Sequence, residues 1–176
     1  MARAAKLDLR VFQQELAARL ANTSEAEVDS TRLGLVCGGG QWLTRLADAA
    51  EVVPVPPIVA VPLTRPWFAG IANVRGNLYS VVDLAAFLGR DTAEAPGEGA
   101  HGRLVLFGAR AGDLRAGVLV QRVLGLRSVA EFAAAPPPPA APGWFVQRWT
   151  DADGSEWQEI DLARLARDPS FLQVGL

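Results

Sequence analysis

Leu9, Phe12, Leu16 and Leu20 recur at helical spacing among charged and glutamine residues, which predicts an amphipathic helix over residues 8–22 with Asp8 as its cap. Asn22 to Ser30 is polar and reads as a connector. From residue 31 the pattern shortens to strand-length apolar runs. Leu33 to Cys37 and Gln41 to Leu46 read as strands reversed through Gly38-Gly39-Gly40, where only glycine turns the chain cheaply. Residues 47–53 fit either a helical turn or a strand, and the proline-spaced segment to Pro66 reads as extended loop. Trp67 to Val74 and Leu78 to Val82 then flank Gly76-Asn77, a pair suited to the positive φ angles of a tight hairpin. Asp83 caps a short helix and Gly89 ends it.

The rest of the chain repeats this grammar. Residues 91–102 are loop; Arg103 to Gly108 and Leu114 to Val123 are strands joined through Ala111-Gly112-Asp113. Residues 133–143, AAAPPPPAAPG, form a polyproline-prone connector. Trp144 to Trp149 and Trp157 to Ile160 flank Asp153-Gly154, and Asp161 to Arg167 is a capped helix ended by Pro169. The segments GNLYSVVDLAAFL and GSEWQEIDLARLA align, with Gly76 and Asp83 falling opposite Gly154 and Asp161. One strand-turn-strand-helix unit is used twice, which predicts a mainly β protein of two similar small barrels rather than one large sheet.

Composition narrows the function. A chain of 176 residues, half of them hydrophobic, buries about 70% of its unfolded surface and needs no metal or disulfide staple. A formal net charge of −2 supplies no basic field to draw nucleic acid or an anionic membrane. The single cysteine, Cys37, suits a reducing compartment. Met1 to Asp8 lacks a signal-peptide core. The longest uncharged run, Val52 to Thr64, is short for a membrane span and carries Pro54, Pro56, Pro57 and Pro62. The expectation is a soluble cytoplasmic protein with no direct membrane insertion.

Candidate chemistry is sparse, and no enzyme, cofactor or metal site is expected. His101 sits alone in a glycine-rich loop, Cys37 lies in an apolar strand, and no Cys/His pair has metal spacing. Gly38-Gly39-Gly40 lacks the Gly-Lys-Ser/Thr of a phosphate loop. Asp83 and Asp161 are explained as helix caps. Five tryptophans raise the alternative of a small-barrel module for single-stranded nucleic acid, but they are scattered and the arginines are not clustered. The proline tract reads as a stiff connector rather than an SH3-type ligand, since no basic anchor adjoins it.

The stretch PLTRPWFAGIANVRGNLYSVVDLAAFLG resembles the signature region of the CheW family of chemotaxis coupling proteins. Gly70, Asn73, Arg75, Gly76, Val82, Asp83 and Leu84 occupy the family positions. Upstream, LGLVCGGGQWLTRLADAAEVV is similar to the family's opening hairpin, ending at Glu51-Val52. Downstream, GSEWQEIDLARLA is similar to its closing strand and helix. The details are closest to the PilI branch, whose chemosensory systems govern type IV pili and twitching. The resemblance implies two intertwined five-stranded SH3-like barrels over residues 31–176; the N-terminal helix and connector at 1–30 and the Ala/Pro tract at 133–143 depart from the family pattern.

It further implies a non-enzymatic adaptor. Such an adaptor would bridge the cytoplasmic tip of a methyl-accepting chemoreceptor, in a groove between the subdomains, to the regulatory domain of a CheA-type histidine kinase at receptor arrays. Glu51 and Arg75 would pair and set register on a partner surface, with Ile71 and Val74 supplying affinity. The start at Met1 and the lack of an ATP-binding or phospho-acceptor sequence argue against a kinase's own regulatory domain. Arg75 has no counterpart in the internal repeat, where Asp153 precedes the glycine.

Overall fold

The computed structural model describes residues 30–90 and 102–176. The helix expected over residues 8–22, and His101, lie outside the described residues. The chain opens on a hairpin of β1 (Thr31–Cys37) and β2 (Gly40–Arg45). Its turn residues Gly38 and Gly39 adopt φ 56° and 70°. A 3-10 turn at Leu46–Asp48 carries the chain into β3 (Ala49–Pro54), so the ambiguous segment 47–53 is both turn and strand. There follow β4 (Ile58–Val59), β5 (Phe68–Val74) and β6 (Asn77–Asp83), then the one-turn helix α1 (Leu84–Phe87).

Beyond the described gap come β7 (Arg103–Phe107), β8 (Ala116–Val120) and β9 (Arg122–Ser128). The sequence reading merged β8 and β9. They abut across Gln121 with no glycine or proline to mark the break. The final elements are β10 (Ala133–Ala135), β11 (Phe145–Thr150), β12 (Glu156–Ile160), α2 (Leu162–Leu165) and α3 (Pro169–Leu172). Pro169, expected only to end a helix, also begins one. Its fixed φ suits the first helical position, where no backbone N–H is needed, and Asp168 caps that turn by accepting from Ser170.

The strands form two six-stranded sheets, ordered β10-β11-β12-β2-β1-β9 and β4-β5-β6-β8-β7-β3. The two orders correspond strand by strand, with a parallel pair at the same place in each, β12 on β2 and β6 on β8. Each sheet carries a short edge strand beyond the five expected. β10 lies in the first three alanines of the proposed connector and pairs with β11; β4 lies in the proline-spaced segment and pairs with β5. Both fall in proline-rich surroundings that read as loop, and edge positions are where such segments can still pair. The first sheet draws on both ends of the described chain while the second is contiguous, so the two units interlock.

The repeat extends further than the aligned segments show. Trp67 precedes β5 and Trp144 precedes β11, and each carbonyl accepts the amide of the aspartate that caps the following helix, Asp83 at 2.8 Å and Asp161 at 2.9 Å. Each cap in turn accepts from the amide three residues on, Ala86 and Arg164. Past each helix an arginine crosses to the other sheet. Arg90 lies over Gly38 and Gly40, where a β-carbon would come within 2.7 and 2.9 Å of its side chain. Its guanidinium sits 5.3 Å from the Trp42 ring centre, a cation–π contact. Arg167 donates to the Arg110 carbonyl on the β7–β8 connection at 2.8 Å.

A single large core joins the sheets, with Leu35 and Trp42 from one and Val82, Val105 and Val118 from the other, under Leu84, Leu162 and Phe171. A second cluster fills the inside of the second sheet around Val53, Ala72, Val81 and Leu104. A third packs Leu43 with Trp149 and Trp157. Buried Glu159 is fully used there: it accepts from Arg32 Nε at 2.6 Å and from Trp149 Nε1 at 2.7 Å.

Candidate functional site

The hairpin of β5 and β6 presents the site. Val74 and Asn77 are its last paired residues, so the two-residue turn is Arg75-Gly76, with φ 51° and 85°. This corrects the expected Gly76-Asn77 turn. Two consecutive positive φ angles are what a right-twisted hairpin requires, and here a non-glycine residue adopts one of them. Asn73 makes this possible, because its side-chain oxygen accepts the Gly76 amide at 2.8 Å and closes the turn from below. Asn77 begins β6 instead and accepts from Arg115 at 2.8 Å.

Arg75 is thereby held at the tip, with its side chain 76% exposed. Its Nη2 lies 2.6 Å from Oε1 of Glu51 on β3. In sheet order β3 and β6 are separated by β7 and β8, about 14 Å across a flat sheet at normal strand spacing. The ion pair therefore reports that the second sheet curls until its edges approach, around the cluster that Val53 and Ala72 share. The expected pair of Glu51 and Arg75 is brought together by curvature rather than by neighbouring strands.

The two apolar residues expected beside it part company. Val74 turns inward and packs on the cluster inside the sheet. Ile71 faces out and is paired on one side with Val59 and on the other with Ser80. Leu78, opposite Asn73, shares that outer face. Val59 and Leu78 are 71% and 62% exposed, so an apolar patch lies on the outer face of β4, β5 and β6. The sequence reading missed Val59 and Leu78; the signal available was their alternation with Ile58 and Tyr79, which point the other way.

Gly70 is needed for this face. A β-carbon there would sit 2.2 Å from the Val59 carbonyl oxygen, and its φ is 135°. Asp83 and Asp161 act as caps, as described. Burial raises the Asp83 carboxyl above its ordinary range, against the pull of the Ala86 and Ala85 amides. Gly154, φ 82°, lies in a longer loop than Gly76 does, closed by Asp151, which accepts from Ser155 and Trp157. Cys37 is 1% exposed and burial pushes its thiol up to about 12, so it is inert at neutral pH.

A second concavity lies where the two Trp-Phe segments meet. This cleft of about 380 Å³ is walled by Trp67, Phe87 and Trp144, with Arg65, Pro142 and Gln173 at its margin. Trp42, Trp144, Trp149 and Trp157 are buried and Trp67 is half-buried, so the tryptophans present no open row of rings for base stacking. No helix among the described residues is long and apolar enough to cross a membrane.

Comparison with known proteins agrees with the fold. Residues 33–170 match the model of the CheW-like domain. The chain is 31% identical to Protein PilI of Pseudomonas aeruginosa over 166 residues, which cover 93% of this chain and 90% of PilI. Among solved structures it is similar to the scaffolding protein TtCheW from Thermoanaerobacter tengcongensis, with a TM-score of 0.62 and 22% identity, covering 75% of this chain and 88% of that one; this likeness bears on fold alone. Two interlocked sheets, a doubled Asp-capped unit, the Gly70-to-Leu84 motif and a family match over most of its length together place the chain in the CheW-like family.

Proposed function

We propose that the protein is a non-enzymatic adaptor that couples chemoreceptors to a CheA-type histidine kinase, in a system governing type IV pili and twitching motility. The observation that carries this reading is the Glu51–Arg75 pair displayed at a hairpin tip beside the outer apolar face of Val59, Ile71 and Leu78. Membership in the CheW-like family and likeness to PilI support it.

In this reading the kinase's regulatory domain packs its own small barrel on the outer face of β4–β6, where the exposed aliphatic side chains give affinity. The charged pair gives register, because a fixed exposed ion pair contributes little stability and its value lies in orientation. The cytoplasmic tip of a receptor is the second partner, and its signalling state shifts kinase populations through differential contacts with the assembled complex. The adaptor performs no chemistry and works at the cytoplasmic side of membrane-associated receptor arrays.

The test is co-sedimentation of the purified protein with the kinase and receptor-bearing membranes of the same cell, with kinase autophosphorylation as readout. A ternary complex that changes autophosphorylation is expected, weakened by Arg75→Ala and by Glu51→Ala in folded protein. Absence of binding to either partner would sink the proposal. Unchanged assembly in both variants would remove the pair from it.

A further inference from the structure

The two sheets correspond down to a bulge in one edge strand of each. β3 and β9 hold the same place in the two strand orders. In the second sheet Ala49 pairs with Phe107, then Glu51 with Leu106 and Val52 with Val105. In the first, Val123 pairs with Leu35, then Gly125 with Gly34 and Leu126 with Leu33. Val52 and Leu126 are thus equivalent, each beside a residue of the large core. Val52 is half-buried and packs on that core. Leu126 is 59% exposed and belongs to none of the three clusters. One edge has a cover that the other lacks. β9 is also a seven-residue strand that pairs with β1 alone among the described residues, and proteins commonly cover such an edge with a helix or loop.

The chain itself supplies a segment of the right kind. Residues 8–22, outside the described part, carry Leu9, Phe12, Leu16 and Leu20 at helical spacing. A helix this short is marginal alone in water, so its apolar stripe calls for a surface to pack on. Its length, about 22 Å, matches the roughly 23 Å of a seven-residue strand. The tether fits as well. Thr31 pairs with Ser128 at the end of β9, and residues 23–30 span up to roughly 28 Å when extended, enough to bring the helix back along that strand. Charge favours the same path. Residues 22–30 hold Glu25, Glu27 and Asp29 and no base. Beside their point of entry Arg127, Arg32 and Arg45 lie in one row across three strands. Arg45 and Arg127 bond no carboxylate among the described residues, and the Nε of each is buried without an acceptor. The likeness to PilI is longer than residues 31–176 and so reaches into this segment, whereas the domain match begins at residue 33.

We propose that residues 8–22 form a helix that docks its apolar stripe along β9 over Leu126, with the acidic connector drawn against the arginine row. The occupant is the chain's own segment, so the proposal stands or falls apart from the adaptor reading. A cover tethered in this way competes at high effective concentration with any partner for the same edge.

Cysteine pairing in the full chain tests this. Leu126→Cys is combined with Phe12→Cys in one variant and with Leu16→Cys in another. At least one pair is expected to close a disulfide within a single chain, read by mass spectrometry without reductant; Cys37 is buried and stays out of the exchange. Tryptic cleavage after Arg10 and Arg19 is the second measure, since its rate follows the undocked fraction. Leu126→Asp is expected to speed both cuts about tenfold or more, the loss of one buried leucine contact. Leu172→Asp, at a leucine 48% exposed elsewhere, leaves them unchanged. No bridge in either pair, or bridges only between two chains, overturns the proposal. So do cuts equally fast with and without Leu126→Asp.

Discussion

At Arg75 the backbone and the side chain make opposite demands. A left-handed conformation is unfavourable for any residue with a β-carbon, and glycine at this place would make the better turn. Retaining arginine gains an ion pair that, at 76% exposure of Arg75, contributes only ~0.2–1 kcal/mol. Stability therefore does not explain the residue, whereas the docking role proposed for it would. Arg75→Gly is expected to leave folding stability within about 1 kcal/mol of the natural protein, relief of the backbone offsetting loss of the pair, while binding to the kinase falls. Urea denaturation and the co-sedimentation assay measure the two sides separately. A loss of stability well beyond that range, with binding intact, would assign Arg75 to architecture.

Elements show where the sequence was legible. Hairpins with glycine in the turn and helices opening on Asp83 and Asp161 were readable, because each is dictated by local chemistry: a positive φ or a capping carboxylate. β4 and β10 were not, because their pairing is supplied by a neighbour distant in sequence and their own residues give contrary signals. The β8–β9 boundary was lost for want of any turn residue. The site divides the same way. Glu51 and Arg75 came from the motif, but that Val74 faces inward while Val59 and Leu78 face outward depends on register, which the bulge between Phe68 and Gly70 shifts. Gly70 is the structural basis of that edge. Gly70→Ala is expected to cost more than the ~1–3 kcal/mol of backbone strain alone, because its β-carbon meets the Val59 carbonyl. Hydrogen exchange should show the loss first in the amides that pair β4 with β5, and full protection there would contradict this account.

Over the whole molecule, the sheets are joined by the crossover turn at Leu46–Asp48. Asp48 is buried and receives Arg110 Nη1 at 2.7 Å from the β7–β8 connection. Burial, followed by the negative charge of Asp161, raises its carboxyl, although Arg110 and Arg45 act to lower it. The folded state therefore holds a proton that the unfolded chain has already released. The resulting stabilisation is full below the unfolded value near pH 3.9 and is lost as pH rises through the raised one. Asp48→Asn removes that decline. The melting temperature of the variant relative to the natural protein should therefore climb as pH rises above the unfolded value, and a difference that is flat or falls with pH would refute the assignment. Arg110, 44% exposed at its side chain, stays solvated without its partner.

The interlocking of the sheets also fixes an order of events during translation. The second sheet is contiguous in the chain and can close while synthesis continues. The β1–β2 hairpin emerges earlier, yet β2 must wait for β12, and Arg32 for Glu159, 127 residues further on. Until the C-terminal strands leave the ribosome, Leu35, Trp42 and Leu43 have no complete core to enter. The nascent protein thus carries an unpartnered apolar hairpin through most of its synthesis, which is the interval in which chaperones have something to hold.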